Sequence, residues 1–353
     1  MKTQLSRASG VVSILLLFVA SAAAADRPHD ILVVTSTNDP SANAVVVFKL
    51  NPANAVLDLV NTQPTGGKGG ASGNAGAVQF DGSLGAVVNY GSNNVSRLVR
   101  EGDAIALDGS IALAPNCEQP VSVALKDWQA FVVGTNCAES HFWPDGRVDG
   151  RVVSLTDSSA AQIAAGQTWA AVTLKSGLVL QMPLSHSGAL TGSSSPVTLP
   201  GDANNTPLGE AFWGDTLAFD PAHSPDSFAL VNASGTVIPI LGPQPAYPGN
   251  APCWLAKGPG NLWYSGNSPG QAISIFFTDA AGGAFYKSIS LPGVPTDITV
   301  SRDQHWLAVI FTASDGSGAR VSVFSIDGYG DLSLAATSAP IGVSAFSGVA
   351  ISE

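Results

Sequence analysis

The chain has 353 residues, of which only 12% are charged, with 38 glycines, 23 prolines and a formal net charge of −11. That acidity, with no basic cluster against it, excludes nucleic acid and anionic membrane surfaces as partners and chiefly promotes solubility. Gly and Pro punctuate short runs rich in Val, Ile, Leu, Phe and Thr, which is the composition of an all-β protein.

Residues 1–25 read as a secretory signal peptide. Lys2 and Arg7 form a positive start, VVSILLLFVA (11–20) is a short apolar core, and Ala23-Ala24-Ala25 is a small-residue cleavage site before Asp26. The apolar run is too short for a membrane anchor, and no later segment offers a longer one. Residues 26–353 are therefore expected to form a single soluble domain, secreted or periplasmic and monomeric.

The mature sequence is a series of strand blocks. ILVVTSTNDPSANAVVVFKLNPANAVLDLVNT (31–62) supplies second, third and fourth strands but no first. GGKGGASGNAG (66–76) is glycine-rich, yet it lacks the GK[ST] and following helix of a nucleotide-binding loop. GAVQFDGSLGAVVNYGSNNVSRLV (76–99) is the clearest copy of a repeat: an apolar strand, a turn with Asp or Gly, a second strand ending in an Asn-containing loop, then a third. PVSVALKDWQAFVVGTN (120–136) opens the next copy, which resumes at GRVVSL (150–155) and leaves AESHFWPDGRVDG (138–150) as a long loop.

Cys117 and Cys137 bracket that hairpin. Antiparallel pairing of 120–125 with 130–134 brings the two within disulfide reach, and export places them in an oxidising compartment. Closing a loop of about twenty residues is worth ~3 kcal/mol in the chain-entropy model. Cys253 is left over, and it reads as a small buried hydrophobe.

Further copies follow at 160–184, 216–241, 253–277 and 295–326. In this register GEAFWGD (209–215) precedes the first strand of the fifth blade. Outer strands of the third and fifth blades are weak: little sequence follows GRVVSL before AAQIAA, and GPQPAYPGNAP (242–252) is too rich in Pro. SGVAISE (347–353) is a lone strand of first-strand character. It supplies what the N-terminal block lacks, so the expected fold is a seven-bladed β-propeller closed by the C-terminal strand, with about 47 residues per blade.

Several segments carry a resemblance: TSTNDPSANAVVVFKL (35–50), GNAGAVQF (73–80), NYGSNNVS (89–96), PVSVAL (120–125) and PCWLAKGPG (252–260). They resemble the seven-bladed propellers of the lactonase family, which includes 6-phosphogluconolactonase and 3-carboxymuconate cyclase. The likeness runs through nearly the whole mature chain and implies that fold, with lactone hydrolysis or lactonising cyclisation as the activity. Two positions depart from the family pattern. Thr173-Leu174-Lys175 stands where relatives have Thr-Glu-Lys, and Val231-Asn232-Ala233 where they have Ser-Glu-Ala. Lactone chemistry needs a proton-moving group and an oxyanion site, and Asn serves only the second. Two readings stay open: an enzyme that opens or closes a lactone, and a non-catalytic secreted binding or scaffold propeller.

In a propeller, loops between second and third strands share one face with the loops that enter first strands. The site is expected at that mouth of the channel, formed by Lys175, Asn232, Asn267 and Asn89, with Trp254 at the entry to the sixth blade. Arg147 reaches over from the long loop, and Glu210 is the candidate catalytic base. Lys175 and Arg147 point to a small polar or anionic ligand, a lactone or carboxylated ring. The Asn residues also suit turn chemistry alone, and the long loop also reads as a solvated one. A ring of amides further suits Ca²⁺, but no metal ligand set is assigned, zinc spacing is absent, and no cofactor is expected.

Overall fold

In the computed structural model the described residues are 31–51, 54–155, 157–197, 206–222, 227–231, 237–241, 251–279, 283–342 and 346–353. The signal segment 1–25 lies outside them. Among the described residues, twenty-eight strands form seven four-stranded antiparallel sheets. Blade 1 contains β1 (Leu32–Ser36), β2 (Ala44–Asn51) and β3 (Val56–Pro64). Blade 2 is β4 (Val78–Asp81), β5 (Leu84–Asn89), β6 (Asn94–Glu101) and β7 (Ala104–Ala112). Blade 3 is β8 (Ser122–Lys126), β9 (Gln129–Val133), β10 (Cys137–Phe142) and β11 (Val153–Ser154). Blade 4 is β12 (Ala160–Ala165), β13 (Trp169–Leu174), β14 (Leu178–Pro183) and β15 (Ser195–Pro196). Blade 5 is β16 (Pro207–Trp213), β17 (Thr216–Pro221), β18 (Ser227–Val231) and β19 (Val237–Leu241). Blade 6 is β20 (Pro252–Lys257), β21 (Leu262–Asn267), β22 (Ala272–Phe277) and β23 (Ala284–Ser290). Blade 7 is β24 (Gly293–Val300), β25 (Trp306–Ala313), β26 (Ala319–Ile326) and β27 (Leu332–Thr337).

The C-terminal β28 (Ser347–Ser352) pairs antiparallel with β1, with Leu32 opposite Ser352 and Val34 opposite Ala350. It is the innermost strand of blade 1, as the orphan strands at the two ends require. The ring is closed without an exposed inner edge.

The core is divided among the gaps between blades. Val33, Phe48 and Val349 of blade 1 pack on Ile310, Val321 and Val323 of blade 7. Equivalent clusters join blades 1 and 2, 2 and 3, and so on around the ring. A fully buried Val, Leu or Ile contributes about 1.5–3 kcal/mol, so the alternating apolar pattern of each blade stabilises two neighbours at once.

Two registers differ from the sequence reading. In blade 5, residues 207–213 are the innermost strand and not a loop before it, so β17 is second and β18 third. Pro207, Gly209 and Glu210 interrupt the apolar pattern there, and a register shift between Pro207 and Glu210 accommodates them. Blade 5 thus has four strands, its outer one at 237–241. In blade 3, Cys137–Phe142 is the third strand rather than the start of a long loop. Its polar Glu139, Ser140 and His141 are fully buried, and that burial is invisible to a hydrophobicity pattern. The outer strand of blade 3 is only Val153–Ser154, as weak as expected.

Candidate functional site

The face carrying the second-to-third-strand loops is covered over the axis by the chain itself. Residues 66–76, the glycine-rich GGKGGASGNAG, run from blade 1 across to the far side of the ring. Gly69 N–H donates to Asp39 O (2.7 Å), Asn74 Nδ2 donates to Ala160 O (2.9 Å) and Gly76 N–H donates to Asp297 Oδ2 (3.1 Å). Ala75 is buried in the cluster that contains Cys253, Trp254 and Ala222. Glycine is required on this path. A Cβ on Gly69 would lie 2.3 Å from the Asn38 carbonyl carbon, and Gly76 has φ +66° with Ser122 Oγ 2.9 Å from where its Cβ would be.

That segment occupies the mouth where the sequence placed the ligand. Lys175, after β13, donates from Nζ to Ser72 O (3.1 Å), and burial lowers its pKa. Asn89 ends β5 with its amide engaged throughout. It donates to Ser96 Oγ (2.7 Å) and Asn94 Oδ1 (2.8 Å), and accepts from Asn43 Nδ2 (3.0 Å) and Thr65 Oγ1 (2.7 Å). Asn267 ends β21 in the same way, donating to Ser274 Oγ (2.6 Å). Both asparagines therefore lock the loop between second and third strands. The Trp254 indole N–H donates to Pro295 O (2.8 Å) and Ser268 Oγ (2.9 Å), tying blade 6 to blade 7.

Arg147 does not join this group. It follows β10 and precedes β11, a third-to-fourth connection, and so lies on the opposite face. There it pairs with Asp145 (2.9 Å) and lies over the Phe142 ring (4.9 Å). Asn232 is outside the described residues, and it follows the third strand β18 rather than a second strand.

Glu210 does reach the channel, from within β16. The Gln162 side chain holds its backbone: Glu210 N–H donates to Gln162 Oε1 (2.7 Å), and Gln162 Nε2 donates to Glu210 O (3.0 Å). The Glu210 carboxyl is buried, and both its oxygens lack a partner at hydrogen-bonding distance and angle. Burial pushes its pKa well above the usual carboxylate range, offset only in part by the nearby Ala164 N–H, so the neutral acid is favoured.

Glu210 lines a cavity of about 290 Å³ along the axis, together with Gln79, Gln162, Lys257, Asp297 and Thr299. These belong to innermost strands, and the cavity reaches Lys126, Ala165 and Val300 at their first-to-second-strand ends. The channel therefore opens on the face opposite the glycine-rich cover. Asp297 is also buried, its carboxyl pushed up to about 7 by desolvation despite three backbone N–H donors, those of Ile298, Gly76 and Val349. Lys257 donates to the carbonyls of Gly258 and Gly260 (2.6 Å each) between the Trp213 and Trp263 rings, and burial lowers it to about 8. Sequence reasoning missed Asp297, Gln79 and Gln162. They sit inside first-strand patterns, where a polar residue every few positions reads as solvent-facing.

The remaining candidates are structural. Cys117 and Cys137 form a disulfide with Cα atoms 5.4 Å apart, and Cys253 is free and buried. Glu139 lies close to both sulfurs, but a disulfide offers no thiolate to a metal. His141 Nε2 meets Glu139 Oε1 (2.8 Å) and its Nδ1 meets Gly146 O (3.0 Å), so the pair fastens the turn after β10. Both side chains are fully buried in the third strand, away from the axis.

No protein-family model matches the sequence, and no curated protein does. Solved structures do. The chain superposes on a Lactobacillus plantarum protein with TM-score 0.69 at 15% identity, over 92% of this chain and 99% of that one. The periplasmic gluconolactonase of Pseudomonas aeruginosa gives TM-score 0.65 at 14% identity, over 92% and 99%. A Bacteroides uniformis protein assigned as a 6-phosphogluconolactonase gives 0.65 at 14%, over 91% and 99%. The fold is that of the lactonase-type seven-bladed propellers. At these identities the likeness is one of fold, and it spans nearly the full length of both partners. Among the described residues no helix is long and apolar enough to cross a membrane.

Proposed function

We propose that the protein is an exported propeller whose axial channel binds a small, uncharged, oxygen-rich ring of the lactone class. The observation that carries this reading is the Glu210 carboxyl: buried on the cavity wall, held toward its neutral form, and with no partner at full hydrogen-bonding geometry beyond the nearby Ala164 N–H. An unused buried carboxyl costs stability unless something pairs with it, and a neutral acid both donates to a carbonyl and accepts from a hydroxyl. The Gln79 amide on the same wall adds a second polar group, and the volume suits a single small ring. Export is supported by the N-terminal pattern and by the Cys117–Cys137 disulfide.

A second reading, lactone opening, is favoured by Asp297. Asp297, raised to about 7 by burial, shares the cavity with Glu210, which burial also holds toward its neutral form, so one wall offers a base and an acid. Asp297 would take a proton from the attacking water while Glu210 hydrogen-bonds the carbonyl oxygen that becomes the oxyanion; collapse of the tetrahedral intermediate then breaks the ring acyl C–O bond, and Asp297 returns the proton to the leaving ring oxygen. Against turnover stands the engagement of both Asp297 oxygens by backbone N–H groups.

The experiment is titration of the purified protein with glucono-1,5-lactone, its open acid and simple γ-lactones, with proton release followed in parallel. The binding reading expects saturable binding that Glu210→Leu abolishes and Lys175→Ala leaves alone. Equal binding by parent and Glu210→Leu would overturn it. Proton release above the uncatalysed rate, lost in Asp297→Asn, selects the enzyme reading.

A further inference from the structure

We infer that the axial cavity is the inner end of a groove for an oligosaccharide, with Trp128 as the platform for an outer sugar ring. This rests on the proposed use of the channel and names the ligand class that its surroundings fit. The axial cavity shares Gln79, Leu125, Lys126 and Thr299 with a hollow of about 350 Å³ at its mouth. That hollow shares Asp81, Lys126, Asp127 and Arg302 with a third, of about 340 Å³, which reaches Trp128, Gln129 and Trp143. The three are therefore contiguous, running from the axis outward to the rim of blade 3.

The inner end of this groove holds unused hydrogen-bonding capacity, in the two buried Glu210 oxygens. The walls further out carry Arg302 paired with Asp81 (3.0 Å) and Lys126 paired with Asp127 (2.6 Å). Such balanced pairs offer donors and acceptors together without a net field to select an ion.

Trp128 is the second observation. It and Asp127 are the two central residues of the turn between β8 and β9, at φ +66° and +48°. Turns of that kind favour Asn-Gly, because side chains there are strained. Here the position holds a Trp that is 64% exposed, so neither turn chemistry nor core packing explains the residue. An exposed indole beside a polar groove offers a flat apolar face to the C–H face of a pyranose, while the groove takes its hydroxyls. An oligosaccharide, hydroxyl-rich along its edges and apolar on its ring faces, matches both features.

The test titrates the full chain with mono-, di- and trisaccharides of β-1,4-glucose, β-1,4-N-acetylglucosamine, α-1,4-glucose and β-1,4-mannose, reading heat and tryptophan fluorescence. In at least one series affinity should rise about tenfold or more from one ring to three, the scale of one added stacking contact. Trp128→Gly, which relieves the turn and should fold, should erase that rise while leaving monosaccharide affinity unchanged. Trp128→Tyr should keep most of it. If monosaccharide and trisaccharide bind equally in every series, or if Trp128→Gly retains the length dependence, the groove is overturned. In that event Glu210-dependent binding of the lactone and the monosaccharide would leave the channel reading standing. Failure of the lactone and all sugars to bind would sink both.

Discussion

Asp297 Oδ2 accepts the Val349 N–H at 3.4 Å, joining blade 7 to the strand that closes the ring. The same oxygen takes the Gly76 N–H (3.1 Å), so one carboxyl touches the closing strand, the glycine-rich cover and its own blade. Folded Asp297 holds its proton near pH 7, whereas the unfolded group holds it only near 3.8. Its contribution to stability is therefore complete below pH 3.8 and is lost as pH rises through 7, a span worth at most about 4 kcal/mol. Melting temperature should fall between pH 4.5 and 7.5 by more in the parent than in Asp297→Asn. Glu210 and Asp220, both raised by burial, tilt both curves alike, so the difference between the curves is the quantity to read. Parallel curves would show that Asp297 keeps an ordinary pKa.

Ring closure gives a second expectation. Deleting residues 347–353 removes β28, opens the edge of β1 and strips Val349 and Ile351 from the cluster between blades 7 and 1. Two fully buried aliphatic side chains alone account for about 3–6 kcal/mol. The truncated chain should aggregate or melt far below the parent in differential scanning fluorimetry. A melting curve that overlays the parent's would contradict closure by this strand.

The three cysteines should separate by reactivity. Cys117 and Cys137 should appear as one linked peptide under non-reducing digestion, and reduction should cost about 3 kcal/mol in a denaturant titration. Cys253 is buried, and desolvation raises its thiol to about 11. It should resist alkylation at pH 8 until the protein unfolds. Labelling of the native protein at the rate of a free thiol would mean that the top of blade 6 opens.

Much of the fold was legible because its signals are periodic. Alternating apolar strands, turns with Asp or Gly and an orphan strand at each end specify seven blades and the closing strand. What the pattern concealed was polar burial. Glu139, Ser140 and His141 are polar in sequence and fully buried in β10, which turned a third strand into an apparent loop and put Arg147 on the wrong face. Gly209 and Glu210 did the same to β16. The Asn residues that end second strands were visible, but whether an amide faces a ligand or its own loop depends on partners such as Ser96 and Ser274, seven residues further on. The glycine-rich 66–76 gave the clearest missed signal. Glycines packed that densely between two blades mark a backbone that must pass close to others, here across the axis.

Glu210 offers the sharpest test of whether the channel is kept for function. Its carboxyl is buried with only the nearby Ala164 N–H set against its desolvation and no partner at full hydrogen-bonding geometry, a state that costs about 1–3 kcal/mol relative to a satisfied or apolar group. A residue retained only for folding would not hold that penalty, whereas a binding residue does, because the ligand removes it. Glu210→Leu should therefore raise the melting temperature, most at pH 8, where the ionised carboxyl would be costliest. Because the folded pKa is raised, the gain should shrink as pH falls toward 4.5 and the buried acid is neutral in the parent. Glu210→Gln should show the same pH trend with a smaller gain, since the amide stays polar and buried. Both variants should lose the lactone that the parent binds. If Glu210→Leu instead destabilises the protein at every pH, the carboxyl has partners in solution and its role is structural.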